Sequence, residues 1–299
     1  MNLGISVDSG HARGVLTDPN GAVVARGESA GADAADTIVT AARATLAGGN
    51  GSRPSAVAVS FPDPDSRNWP SDLSFLSAAI GENVPVRTLS TGHASALAEI
   101  WYGSARGARD LLVFAIGPSV SAGVICNGAL LSGAHGLASS VQWLALNPVE
   151  REDYRRMGCL EAEAGAAGIV RRLVWRIKSG DQSRVFDSAG GDFNAITLDM
   201  ILKAAHENDG VSISVIRDTV KYLAMAVSNI AAVIDPEVIV LGGILQSSGA
   251  LLFDPIRQEC ARRMPPSLYD QVRIEVSQLG ADAAPMGAAR FAQFGSALP

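Results

Sequence analysis

The sequence between Val84 and Pro148 decides the fold. It reads VPVRTLSTGHASALAEIWYGSARGARDLLVFAIGPSVSAGVICNGALLSGAHGLASSVQWLALNP. Its apolar pattern predicts a short strand, then a helix that contains Ala-Leu-Ala-Glu, then a buried strand, Leu111–Ile116. A second strand, Val120–Cys126, ends in Asn127-Gly128, a dipeptide typical of tight β-hairpins. The segment therefore predicts alternating strands and helices.

The chain before this segment predicts three strands, a helix and a further strand. The turn Asp18-Pro19-Asn20-Gly21 separates two of the strands, and Asp33 is a suitable N-cap for the helix. The predicted elements are Leu3–Val7, Arg13–Thr17, Val23–Arg26, Asp33–Leu46 and Ala56–Phe61. This order is that of an actin-like, ribonuclease-H-like domain.

A second copy of the same order begins at Leu111–Ile116. The elements predicted after the hairpin are Gly165–Ile177, Leu198–Glu207, Val211–Ile234, Glu237–Leu241, Leu251–Met264, Val272–Val276 and Pro285–Gln293. Lys178–Asp192 is rich in Ser, Gly and Asp, which predicts a mobile loop. The sequence therefore predicts an α/β protein with the two-lobe, actin-like fold of ATPases and sugar kinases. The expected lobes are residues 1–109, with a C-terminal helix at about 285–299, and residues 110–284.

Composition limits the class of protein. Hydrophobic residues make up 47% and charged residues 18% of the 299 residues, which is typical of a compact folded protein. The net charge of −6 disfavours contact with a phosphate backbone, so we expect no direct DNA binding by this chain. Three widely spaced cysteines, no signal-peptide pattern and no long apolar run indicate a cytoplasmic protein without a membrane span.

The motifs taken together resemble the ROK family, which contains bacterial sugar kinases and sugar-responsive repressors. The resemblance rests on Arg-Gly at 13–14, Ala-Leu-Ala-Glu at 96–99, Asn-Gly at 127–128, Gly-Ala-His-Gly at 133–136 and Leu-Gly-Gly at 241–243. It implies two lobes that close on a nucleotide and a sugar, and a homodimer. It also implies which positions would carry the chemistry of phosphoryl transfer.

The position of the catalytic base differs from that of the kinases this chain resembles. They carry Glu-Asn-Asp-Ala-Asn, whose Asp is the base, where this chain has Leu89-Ser90-Thr91-Gly92-His93. The base position is therefore Thr91, and a threonine hydroxyl cannot accept a proton from a sugar near neutral pH. His93 and Asp8 are candidate surrogates, although a histidine at a helix start more often caps the helix or contacts solvent.

Two phosphate-binding turns are also altered. In the first, Ser6 replaces the family's metal-organising acid, and Asp8 either substitutes for it or satisfies turn amides together with Ser9. In the second, the family's Gly-Thr-Gly-Val-Gly becomes Gly-Pro-Ser-Val-Ser at 117–121, and Pro118 has no N–H to offer a phosphate. The candidate nucleotide contacts are Asp8, Ser9, Gly10, Gly117, Ser119, Gly242 and Gly243.

The resemblance implies a set of sugar contacts as well: Asp63, Thr91, His93, His135, Ser140 and Trp143. Ser140 replaces a Glu that binds sugar hydroxyls. Trp143 replaces a zinc-ligating His, as an aromatic residue often does in the repressors, and it either packs in a lid or stacks on a ring. Cys159 is the one family zinc cysteine that remains, so we expect no zinc and a buried thiol.

Three functions remain open. The combined loss of base, metal acid, sugar Glu and zinc ligands favours a non-catalytic, sugar-sensing or regulator-type protein, which we expect to lack the N-terminal winged helix of ROK repressors. The second is an ATP-dependent hexose or amino-sugar kinase with relocated groups, and this hypothesis alone requires ATP and Mg²⁺. The third is an interaction module without a ligand.

Overall fold

The strands of the protein form two five-stranded sheets within the described part of the chain. The structure, a computed structural model, describes residues 1–62, 69–70, 72–246, 248–296 and 298. The strands are β1 (Asn2–Asp8), β2 (His11–Thr17), β3 (Val23–Ala30), β4 (Ala56–Phe61), β5 (Val86–Ser90), β6 (Leu111–Ile116), β7 (Val120–Cys126), β8 (Ala129–Leu130), β9 (Val238–Gly243) and β10 (Arg273–Val276).

The helices lie on the faces of these sheets. They are α1 (Ala34–Gly48), α2 (Ser77–Ile80), α3 (Thr91–Tyr102), α4 (Glu152–Met157), α5 (Cys159–Ala164), α6 (Ala166–Lys178), α7 (Arg184–Ser188), α8 (Leu198–His206), α9 (Gly210–Ile234), α10 (Asp254–Ala261), α11 (Pro266–Tyr269) and α12 (Ala283–Phe294). Short 3₁₀ turns occur at Ser74–Leu76, Val141–Trp143, Phe193–Ala195 and Gly280–Asp282, and a π-helical turn at Gly249–Phe253 precedes α10.

The second sheet repeats the topology of the first. In the first sheet, ordered β3-β2-β1-β4-β5, strand β1 is antiparallel to β2 and parallel to β4. In the second, ordered β10-β9-β6-β7-β8, strand β6 is antiparallel to β7 and parallel to β9. The central strand of each sheet therefore has the same neighbours in the same directions. The sheets lie on either side of the proposed boundary at 109/110, and the exact division into lobes stays a prediction.

Local sequence signals explain where several elements begin and end. The Asp33 carboxylate accepts a hydrogen bond from the Asp36 amide and caps α1 at the predicted residue. Asp209 caps α9 in the same way, and Asp235 ends that helix in the left-handed conformation. Asn127 and Gly128 have φ of 53° and 70°, as a two-residue hairpin of this type requires.

The prediction of a loop throughout Lys178–Asp192 is wrong, because this stretch contains α7. The carboxylate of Asp209 accepts hydrogen bonds from the Ser183 hydroxyl at 3.1 Å and from the Arg184 amide at 3.0 Å. A residue about 25 positions further along the chain therefore fixes the start of α7. Composition alone cannot reveal such a contact.

Helices α3 and α12 occupy the space between the two sheets. α12 packs against β1 and β4 of the first sheet, α3 packs against β6 and β7 of the second, and the two helices pack against each other. The approach is close, since a methyl group at Gly4 would overlap the Pro285 carbonyl oxygen and one at Gly287 would overlap that of Ala94. None of the helices in the described residues combines the length and apolar character needed to cross a bilayer.

Gly287→Ala tests the contact between α12 and α3. Alanine is normally favoured over glycine in a helix by about 0.5–1 kcal/mol. Here the added methyl group would overlap Ala94, so we expect the free energy of unfolding to fall by about 1–3 kcal/mol. Gly210→Ala is the matched control, because a methyl group at this first residue of α9 meets nothing within 4 Å. Urea unfolding of both variants measures the difference, and equal stability would contradict the contact.

Candidate functional site

A cleft of about 370 Å³ lies where the two sheets face each other across α3. The ends of β1 and β6, the start of α3 and the end of β9 contribute to its walls. Among the residues predicted from sequence, those that line it are Asp8, Thr91, Gly117, Ser119, Gly242 and Gly243. The fold therefore brings together residues that are up to 235 positions apart in the chain.

Asp8 connects the first sheet to the second. Its carboxylate accepts hydrogen bonds from the hydroxyls of Ser9 at 2.9 Å and Ser119 at 3.1 Å, and from the Ser119 backbone amide. Burial raises the pKa of Asp8, and these hydrogen bonds act in the opposite direction. Ser9 and Gly10 form the turn that follows, with φ of 44° and 81°.

The turn between β6 and β7 has its amides engaged by the protein itself. The Gly117 N–H donates to the Ser119 carbonyl at 3.1 Å, and Pro118 has no N–H. The Ser119 N–H donates to the Asp8 carboxylate, and the Val120 N–H donates to the Glu161 carboxylate at 2.7 Å. A turn that binds phosphate offers free N–H groups to the anion. In this protein the Ser119 and Val120 amides are instead bonded to the carboxylates of Asp8 and Glu161.

Sequence reasoning missed Glu161 as a site residue. It lies in α5, and burial, with a smaller contribution from the charge of Asp8, raises its pKa to about 7. Its side chain is within reach of the Val120 amide because α5 packs against β7. The signal available in the sequence was its place two residues after Cys159, the remaining cysteine of the family's zinc motif.

Glu99, a buried carboxylate that lines the cleft, was missed as well. It accepts hydrogen bonds from the Ser277 hydroxyl at 2.5 Å and from the Ser104 amide at 2.9 Å, and burial raises its pKa. Ser277 directly follows β10, so its hydrogen bond joins α3 to that segment. A glutamate inside the apolar run of α3 was the available signal.

Thr91 lies at the first residue of α3, where the base was expected. Its hydroxyl is buried and has no hydrogen-bond partner in the described part of the chain. The preceding residue, Ser90, caps the helix by accepting a hydrogen bond from the His93 amide at 3.1 Å. An unpaired buried hydroxyl that lines a cleft is available to a ligand.

The ring of His93 makes a hydrogen bond within the protein. Its Nε2 lies 3.0 Å from the carbonyl oxygen of Leu131, which can only accept, so Nε2 carries the proton. The side chain is buried, and burial lowers its pKa. His93 is not among the described residues that line the cleft.

The other predicted sugar contacts are not gathered around the cleft. His135 is exposed, Ser140 is half-buried and Trp143 is 49% exposed, and the cleft's described walls contain none of them. Asp63 lies outside the described residues. The cleft therefore gathers five of the predicted nucleotide contacts and one predicted sugar contact, Thr91, and the other described sugar contacts lie elsewhere.

The second glycine at the end of β9, Gly243, is required by the packing of the backbone. Gly243 has φ of 70°, and a methyl group there would overlap the carbonyl oxygen of Ile116. That same oxygen accepts the Ile244 amide at 2.8 Å. The close approach of β9 to β6 accounts for Gly243 without any ligand.

The positions of the family's zinc ligands do not fit a zinc ion. Cys159 is buried against Tyr154 and Ala162, and Trp143 offers no donor atom to a metal. No group of three or more His, Cys, Asp or Glu side chains among the described residues is arranged to hold a metal ion.

The repeated sheets and the cleft between them define a mixed α/β protein built of two related halves. A sequence model of the ROK family matches residues 28–294, and the chain belongs to the ROK family. The structure matches a ROK family glucokinase from Streptomyces griseus, in complex with glucose and AMPPNP, with a TM-score of 0.82 and 22% identity over 98% of this chain and 99% of that one. The predicted actin-like ATPase fold is thereby confirmed.

Curated relatives include both enzymes and regulators. A glucokinase of Halalkalibacterium halodurans is 29% identical over 209 residues, which cover 68% of this chain and 62% of the relative. A xylose repressor of Caldicellulosiruptor bescii is 27% identical over 200 residues, which cover 66% of this chain and 49% of the relative. The chain thus spans about half to three fifths of the length of these two relatives, and family membership leaves both functions open.

Glu161→Gln should change how stability depends on pH. The folded-state pKa of about 7 lies above the ordinary 4.5, so ionisation of Glu161 destabilises the fold as pH rises from about 4.5 through 7. Glutamine cannot ionise. We expect the free energy of unfolding of the variant, relative to wild type, to be about 1–2 kcal/mol higher at pH 8 than at pH 5.5.

Urea unfolding at the two pH values measures this difference. Glu82→Gln is the control, because it removes an exposed glutamate outside the cleft, and its effect should be the same at both pH values. A Glu161→Gln effect that does not change with pH would contradict the raised pKa.

Proposed function

We propose that this protein binds a small sugar in the cleft and senses it without transferring phosphate. The observation that carries the proposal is the state of the turn between β6 and β7, whose amides are absent or bonded to Ser119, Asp8 and Glu161. Triphosphate binding there would have to displace two carboxylates that repel it. A regulator needs only ligand binding and can tolerate this arrangement.

The environment of Thr91 supports the same function. Phosphoryl transfer to a sugar needs a group that takes the proton of the attacking hydroxyl, and loss of such a base costs about 10²–10⁴-fold in rate. Thr91 offers a hydroxyl, and the neighbouring His93 donates its Nε2 proton to Leu131. Thr91 is suited to hydrogen-bond a sugar hydroxyl, because its own hydroxyl is unpaired among the described residues.

The relatives are consistent with sugar binding. The Streptomyces griseus structure contains glucose, and one curated relative is a xylose repressor. We propose that the ligand here is likewise a small sugar, and that the chain forms a homodimer and controls a partner protein through regions other than the cleft.

An ATP-dependent sugar kinase is the second candidate, favoured by one observation. Asp8 and Glu161 place two carboxylates at the turn, and carboxylate oxygens are ligands that Mg²⁺ accepts. In this alternative Asp8 and Glu161 would hold the metal that accompanies ATP. Bound Mg²⁺ would supply charge neutralisation for the phosphates.

Thr91→Val tests sugar binding in the cleft. The substitution keeps the shape of the side chain and removes the hydroxyl, so we expect the affinity for the best-bound sugar to fall about 3- to 10-fold. Isothermal titration with hexoses, pentoses and N-acetylated amino sugars identifies that sugar in the wild type and measures the change. Thr88→Val is the matched control, since Thr88 is exposed on β5, and its affinity should equal that of wild type.

An ADP-release assay with Mg-ATP and the same sugars separates the two candidates. We expect no turnover above background. Robust turnover that disappears in Asp8→Asn would establish the kinase instead. If neither sugars nor nucleotides bind, the interaction module is the remaining function.

A further inference from the structure

A second cavity, of about 740 Å³, lies in the second half of the chain between α6, α9 and the segment before α4. We call it the Arg172 cavity. Its described lining residues and those of the cleft have no member in common. Its volume is in the range of pockets that hold small organic ligands, and neither the sequence motifs nor the relatives assign it a role.

Positive charge is concentrated in this cavity, although the whole chain has a net charge of −6. The cations among its described lining residues are Arg151, Arg171, Arg172, Arg176 and Lys221. The acids in the same lining are Glu163 and Asp218. Such a grouping is not expected from composition and marks a local site for an anion.

Three of these five cations each form an ion pair with one carboxylate. Arg171 pairs with Asp153, Arg176 pairs with Asp181, and Lys221 pairs with Asp218 at 3.1 Å. These pairs are partly exposed, and the net charge of each pair is zero. The excess therefore lies with the remaining two, Arg151 and Arg172.

Arg151 and Arg172 share one carboxylate, that of Glu163. It lies 3.2 Å from Nη1 of Arg151 and 3.8 Å from Nη1 of Arg172, and it also accepts the Tyr154 hydroxyl. Two guanidinium groups facing one carboxylate leave one positive charge in excess among the described residues of the cavity. A charge in a partly buried site is stable only when it is compensated.

Arg172 is the more buried of these two cations, and Asp218 and the Tyr222 ring also lie near its charge. Its side chain is 15% exposed, its Nη2 donates to the Thr219 hydroxyl, and its Nε is buried without a hydrogen-bond partner among the described residues. A guanidinium has five N–H donors in a planar fork. The contacts within the protein leave part of that fork unused.

We propose that the Arg172 cavity binds the phosphate group of a small molecule, with Arg151 and Arg172 as its cationic contacts. Phosphate offers several acceptor oxygens that match the arginine fork in two-point contacts. The cavity is much larger than a phosphate ion, and Leu146, Val215 and Met225 give it an apolar wall. An organic body attached to the phosphate, such as that of a sugar phosphate, has room there.

Calorimetric titration of the full chain at fixed ionic strength tests this site with three probes: glucose 6-phosphate, inorganic phosphate and glucose. We expect glucose 6-phosphate to bind, and its affinity to fall roughly 10- to 100-fold in Arg151→Gln and in Arg172→Gln. Arg217→Gln is the matched control, because it removes a cation from α9 at an exposed position outside the cavity, and its affinity should stay within about twofold of wild type.

The probes also distinguish the source of the phosphate. Tighter binding of glucose 6-phosphate than of inorganic phosphate assigns a phosphate ester, and equal binding assigns free phosphate, while both support the site. Arg151 is 52% exposed, so Arg151→Gln keeps the test valid if Arg172→Gln fails to fold. Absence of phosphate binding by the wild type, or binding that Arg151→Gln leaves unchanged, would overturn the proposal. Glucose binding as tight as that of its phosphate would place the ligand in the cleft and overturn it as well.

Discussion

The site depends on the hydrogen bonds that two carboxylates accept from the turn between β6 and β7. Asp8 reaches it from the first sheet, and Glu161 reaches it from α5 behind the second sheet. The Asp8 hydrogen bonds thereby join the first sheet to the second at a turn whose described amides are already engaged. A ligand that needs these amides must compete with the hydrogen bonds that Asp8 and Glu161 already accept from them.

The scaffold and the chemistry of this protein follow different constraints. The packing of α12 against β1 and α3, and of β9 against β6, requires glycines such as Gly4, Gly287 and Gly243, since side chains at those positions would overlap the backbone. These requirements are independent of what binds in the cleft. A chain can therefore retain the two-sheet architecture while the positions that we predict for a base and a metal-organising acid hold Thr91 and Ser6.

Most of the fold could be predicted from sequence, because it rests on local signals. Apolar periodicity located the strands, Asp33 marked the start of α1, and Asn127-Gly128 marked the hairpin. α7 could not be predicted, because its start depends on a carboxylate about 25 residues away. The positions of some site residues also depend on long-range packing. The Glu161 carboxylate contacts a residue 41 positions earlier in the chain, and the His93 ring contacts a residue 38 positions later.

The helix α5 has only six residues, and it carries Glu161 and Glu163 two positions apart. Since each residue advances about 100° around a helix, the two side chains leave it on nearly opposite sides. One meets the turn at the cleft, and the other meets Arg151 and Arg172. If a ligand on one side of α5 shifted this short helix, the carboxylate on the other side of the helix would move with it. Thermodynamic linkage then makes the influence reciprocal, so each occupant would change the affinity for its counterpart by the same factor.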